Sequence, residues 1–216
     1  MEKLNPDKII NFHKQIKEDY NSNYNSWKHC YKAFKDVNQN DTLLALHLGF
    51  YLASWGMYRG STAISTKDYT IHIGAVRLIR EYYHLRCNEN NEFERQDISE
   101  LLSLCEALKK HFYSFEYWSK GKFEKRKPTK TLITKIIIGT LGCIPAFDRY
   151  FIDGVKVNDY KFYNINTKSL VGLYDFKEKY KTELISIQKK LKEIDNTHYP
   201  MFKIIDNYFW HEGYNS

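Results

Sequence analysis

Apolar residues recur at three- and four-residue spacings along most of the chain, the signature of amphipathic helices. Asn5 and Pro6 make a helix start followed by Ile9, Phe12, Ile16 and Tyr20, and a second helix carries Trp27, Tyr31, Phe34 and Val37. Residues 43–58 are apolar nearly all round, which predicts a central helix ended by Gly60. A fourth helix is expected over 71–86. The pair Asp97 and Glu100 reads as a capping box opening a fifth helix through Leu101, Leu104, Leu108, Phe112 and Phe115. A basic connector then leads to an apolar helix over 131–141, the turn GCIPAF and a short helix over 147–152. Residues 155–167 fit a small hairpin or a plain loop. A long amphipathic helix over 170–194 and a last one opened by Pro200 complete the pattern. Strict alternation is otherwise missing, so the expected fold is all-α: a single compact domain of eight or nine helices spanning residues 1–216, with 43–57 and 136–141 at its centre.

Composition narrows the class without naming a function. With 216 residues, 43% hydrophobic and only 4 Pro and 10 Gly, the chain is neither disordered nor collagen-like. Its four cysteines, Cys30, Cys87, Cys105 and Cys143, form no CxxC pair, and the first residues carry no apolar leader core. The expectation is a cytoplasmic protein with buried, reduced thiols. The longest apolar run is too short for a bilayer span, so no membrane partner is expected. The eight histidines include no HExxH or zinc spacing, and the glycine motifs of dinucleotide and nucleotide sites are missing; no metal and no cofactor are expected.

Charge changes the picture. The net charge is +7, and +6 of it lies between residues 120 and 135, where Lys120, Lys122, Lys125, Arg126, Lys127, Lys130 and Lys135 face one acid, Glu124. Concentrated basic residues just before a helix suit phosphate, so nucleic acid, DNA above other polyanions, is the expected partner; a solvated loop is the plainer alternative. Trp55, Tyr58 and Arg59, between two glycines, form a candidate pocket in which a base could stack, or else an aromatic helix end capped by Gly60.

The segment KTLITKIIIGTLGCIPAFDRYF, residues 130–151, resembles the central segment of the helix-hairpin-helix DNA glycosylase superfamily: an apolar helix, a turn with Gly142 and Pro145, then Asp148 opening the next helix. The family's glycine-containing hairpin is replaced by KRKPTK. The resemblance implies base excision by a hydrolase, with Asp148 as catalytic carboxylate and Lys130, eighteen positions upstream, as the lysine of bifunctional members. Asp148 as an ordinary helix cap is the alternative. Arg77 and His84 in RLIREYYH resemble the arginine-histidine motif of HEPN ribonucleases and form an alternative catalytic pair. The run LGFYLASWGMYRGS resembles uncharacterised bacterial proteins, which supplies no chemistry. A competing class is a non-enzymatic helical interaction protein, whose mark would be an exposed apolar patch on the 170–194 helix.

Overall fold

The computed structural model describes residues 4–36, 38–60, 62–119 and 121–216. Val37 and Lys120 of the patterns above lie outside the described residues. Ten α-helices and one two-stranded sheet are found among the described residues.

The first helices start where capping side chains predict. In α1 (Pro6–Glu18) the Asn5 side chain accepts from the amide of Asp7 at 3.1 Å, with Pro6 in the first turn. Helix α2 (Asn25–Ala33) follows, and α3 (Asp41–Ser54) is capped by Asn40, which accepts from Thr42 at 2.8 Å. A 3-10 turn, Tyr69–His72, runs into α4 (Ile73–Glu81). The fourth helix therefore stops five residues short of the expected end, and Tyr83–Leu85 form another 3-10 turn. Chain direction changes there so that Cys87 can donate its amide to the Leu141 carbonyl at 2.9 Å.

Helix α5 (Ile98–Tyr113) is preceded by a capping box, but its partners are Glu94 and Asp97, not Asp97 and Glu100. The Asp97 carboxylate accepts from the Glu94 amide at 2.8 Å, one turn earlier than the spacing suggests. The basic connector is not a loop. Its start forms a hairpin of β1 (Glu116–Ser119) and β2 (Lys122–Lys125), paired antiparallel with Trp118 opposite Phe123.

Helix α6 (Lys130–Thr140) is capped by Thr129, and every residue from Leu132 to Thr140 is buried. Gly142 ends it at φ +72°, a left-handed conformation that suits glycine. Helix α7 (Arg149–Val157) starts at Asp148 and absorbs the beginning of the expected 155–167 hairpin; the remainder is irregular. The expected long helix is two, α8 (Thr167–Lys179) and α9 (Lys181–Asp195), because the chain leaves helical geometry at Tyr180, whose ring is buried 4.8 Å from Phe176. That division accounts for a helix count above the expected eight or nine.

Helix α10 (Met201–Tyr214) lies at the centre with α6, buried continuously from Met201 to Phe209. Helix α3 is less central than its composition suggests: Leu43, Leu46 and Phe50 reach the surface, the last 65% exposed. The 170–194 segment shows only Ile185 among its large exposed apolar side chains, so the apolar surface gathers on α3 and the hairpin instead. All four cysteines are free and buried. No helix among the described residues is long and apolar enough to cross a membrane.

The closest helix crossing is α7 against α10. A Cβ on Gly154 would collide with the Phe209 carbonyl, and one on Gly213 with the Tyr150 carbonyl, so the two backbones touch. Gly154→Ala should therefore destabilise the protein by about 3 kcal/mol, because backbone cannot move aside as a side chain can. Gly172→Ala, in α8 with ordinary 3.7 Å clearance, should instead stabilise by about 0.5–1 kcal/mol. Denaturant unfolding of both variants measures the contrast.

Candidate functional site

Two places gather the chemistry: a closed chamber at the head of α7 and the exposed hairpin. The α7–α10 crossing makes the chamber. It brings Asp148, at the start of one helix, beside Lys203, Asp206 and Asn207 on the other, while Tyr24, Tyr51, Trp55 and Trp210 supply aromatic walls. The Asp148 carboxylate does two things. One oxygen caps α7, accepting from the Phe151 amide at 3.1 Å; the other accepts from the Lys135 ammonium at 2.9 Å.

Lys135 is buried, and its ammonium also lies 4.7 Å from the Trp55 ring. A second ion pair, Lys203 with Asp206 at 2.7 Å, lies alongside, and the other Asp206 oxygen accepts from the Ala146 amide at 2.8 Å. The proline turn is thus tied to α10. Trp55, Tyr24 and Trp210 meet edge to face with centroids 5.2 to 6.2 Å apart. The void they leave is about 10 Å³, room for one water at most. The Trp55 indole N–H, turned inward, has no hydrogen-bond partner among the described residues.

Several expected site residues are not brought together. Lys130 is not beside Asp148: its ammonium donates to the Tyr163 carbonyl at 2.9 Å and to the Asn164 side chain at 3.2 Å. Burial, with Lys156 nearby, lowers its pKa. Lys135, expected on a phosphate-binding surface, is buried, because its position on α6 turns it toward Trp55 and the start of α7. Of the expected pocket, only Trp55 faces the chamber. Tyr58 hydrogen-bonds with His72 at 2.7 Å, and Arg59 is exposed at the surface. Arg77 pairs with Asp41 of α3 at 3.0 Å and His84 with Glu100 of α5 at 2.6 Å. Helix α4 ends between these two, so they share no helical face and no common partner.

The hairpin is the feature that spacing alone did not show. On one face Tyr117 is buried; its hydroxyl donates to the Ala63 carbonyl and the Arg126 guanidinium lies 4.9 Å from its ring. Arg126 also donates to Ser65 at 3.0 Å, so this expected nucleic-acid contact is used to fasten the hairpin. On the other face Trp118 and Phe123 are 64% and 66% exposed, with ring centroids 5.0 Å apart. Lys125 shares that face, across the hairpin from Glu116; Lys122 on the hairpin, Lys127 just after it and Lys110 on α5 are also exposed. None of these four forms an ion pair among the described residues. Beside them, Lys109, Lys110, Tyr113, Lys127 and Pro128 line an open pocket of about 270 Å³.

No family model, curated protein or solved structure matches this chain. Its chemistry has to be read from the geometry. The chamber can hold a polar planar group only after its aromatic walls part, whereas the hairpin offers rings and ammonium groups to solvent as it stands.

Two outcomes follow. Removing one partner of the buried ion pair leaves the other uncompensated, so Lys135→Met should cost about 3–5 kcal/mol. Asp148→Asn keeps a capping oxygen that Asp148→Ala deletes, and the alanine variant should be less stable than the asparagine one by about 1 kcal/mol. Unfolding curves of the three variants separate cap from charge.

The second concerns pH. Burial lowers the pKa of His13 from 6.5 to about 4 and of His72 from 6.5 to about 3. An unfolded chain protonates both near 6.5 while the folded one resists, so stability is full above that value and falls as pH drops toward 4. His72→Gln should remove about one proton from this slope in denaturation measured between pH 6.5 and 4.

Proposed function

We propose that this protein binds nucleic acid, DNA first, with the hairpin as the contact surface and unpaired bases stacking on Trp118 and Phe123. The observation that carries the reading is that exposed cross-strand ring pair, with exposed lysines on and beside the hairpin that form no ion pair among the described residues. Flat rings tolerate any base, and ammonium groups hold the backbone by releasing its condensed counterions. Burial of Tyr117 and the anchoring by Arg126 support the reading further, since they hold the platform in place before a ligand arrives.

In titrations with a single-stranded oligonucleotide, Trp118→Ala and Phe123→Ala should each weaken binding by about 1–3 kcal/mol, with little change in melting temperature because both rings are exposed. Changing Lys110, Lys122, Lys125 and Lys127 together to Gln should flatten the slope of log affinity on log salt by about 2–3 units, from about 0.7 per lost phosphate contact. Unchanged slope and affinity would refute the reading. Binding to anionic vesicles with none to oligonucleotides would make the patch a membrane-surface element instead.

A second reading, base excision, is favoured by one observation in the chamber: a carboxylate at a helix start shares it with an indole N–H that has no partner among the described residues. In this reading a flipped base displaces Tyr24 and Trp210, and Asp148 stabilises positive charge developing on the sugar. Water adds to the anomeric carbon as the bond to the base breaks, and the base leaves with a proton. Water is the attacking group because the Lys130 ammonium is held by Tyr163 and Asn164. A panel of damaged duplexes should then yield abasic sites with the wild type and none with Asp148→Asn. Borohydride should trap no covalent adduct. Absence of base release across the panel removes this reading and leaves binding.

A further inference from the structure

A cavity of about 350 Å³, sharing no lining residue with the chamber and none with the hairpin, lies where the segment after α4 passes the last turns of α2 and α6. At its inner wall is Arg86, only 3% exposed, with no carboxylate in ion-pair range among the described residues. Its guanidinium donates to the carbonyls of Thr140 and Tyr31, the latter at 2.7 Å, and lies flat 3.8 Å from the centroid of the Tyr31 ring. Both carbonyls belong to helix C-terminal turns, which carry partial negative charge and hold the arginine in place. They occupy two of its five N–H groups.

The rest of the wall continues the same chemistry. Lys35 is exposed at the mouth and forms no ion pair among the described residues. Glu89, the acid that borders the cavity, is engaged by Lys192 at 3.0 Å. His198, half-buried, also borders the cavity; its Nε2 is buried with no hydrogen-bond partner among the described residues, and its pKa is lowered, first by burial. Tyr83 adds a planar wall held by its hydroxyl, which donates to the Lys35 carbonyl at 3.0 Å, and Asn90 brings a side-chain amide at the rim.

We infer that this cavity is a binding site for a small organic anion of mononucleotide size, its phosphate or carboxylate held by Arg86 and Lys35 and its planar part lying on Tyr83 toward His198. A purely structural arginine would need no such volume, nor an exposed lysine at its mouth. Charge-assisted contact from a guanidinium and an ammonium is the shared chemistry of phosphate and carboxylate recognition. The inference is independent of the nucleic-acid reading, since no hairpin residue borders the cavity.

Calorimetric titration of the full chain with adenosine monophosphate, inorganic phosphate, benzoate and unphosphorylated adenosine tests it. At least one of the organic anions should bind, and adenosine about tenfold more weakly than its monophosphate if phosphate is the group held. Benzoate binding without monophosphate binding would keep the site and assign it to carboxylates. Arg86→Ala would strip two helix ends of their donor and could unfold the chain, so the deciding variants are Lys35→Ala and His198→Ala. Each should weaken the bound anion by about fivefold or more while the melting temperature of the free protein stays put. Trp118→Ala should leave this affinity unchanged. Wild-type affinity in both cavity variants, loss of binding in a Lys125→Gln, Lys127→Gln double variant instead, or no binding by any of the anions would overturn the inference.

Discussion

Backbone contact between α7 and α10 is the constraint on which the interior depends. Two glycines facing each other let the helices approach until carbonyls and amides are in contact, a distance that no side chain would allow. That approach sets the head of α7 against the last turns of α10, and with it come the link from Ala146 to Asp206 and the aromatic walls around Asp148 and its partner Lys135. A small change at the crossing would shift every charged group in the chamber.

Charge inside the protein is handled in two distinct ways. Lys135 and Lys203 are matched to carboxylates, which offsets desolvation at close range. Lys177 and Arg86 lean instead on backbone: Lys177 donates to the Phe93 carbonyl at 2.7 Å and keeps a partner in Glu178 at 3.1 Å, while Arg86 has carbonyls and the rings of Tyr31 and Tyr83. Arg86 is therefore the buried cation with the least compensation by formal charge. At the hairpin, by contrast, Lys110, Lys122, Lys125 and Lys127 are exposed and form no ion pair among the described residues.

Much of the fold was legible in the sequence because helical periodicity and capping are local. Asn5, Asn40, Thr129 and Asp148 all cap as their residue types suggest. The misreadings occur where tertiary contacts override local pattern. Residues 116–125 lack a clean alternation, since both Trp118 and Phe123 face solvent while Tyr117 faces inward, so the hairpin looked like a charged connector. Conversely, Val155 and Val157 alternate like a strand yet belong to α7. The basic cluster was visible as composition but not as geometry: Lys122, Lys125 and Lys127 reach solvent, whereas Arg126, Lys130 and Lys135 are spent on Ser65, Tyr163 and Asp148. Nothing in linear spacing distinguishes these fates. Asp148 was identifiable from its turn, but its partner Lys135 and the α10 residues beside it depend on a helix crossing sixty residues further along. The Arg86 cavity had no sequence signal at all, because its walls come from three separate segments.

The four buried thiols have a practical bearing. Cys30, Cys87 and Cys143 are sealed in the core, and burial raises their pKa, so the nucleophilic thiolate is suppressed in the native state. Cys105, on the buried face of α5, is pushed up to about 12 by the same cause. An alkylating reagent can therefore reach sulfur only when the interior opens. The chain carries its own clock for that opening: the pace at which the thiols are consumed reads out how often the native packing comes apart, with no label added.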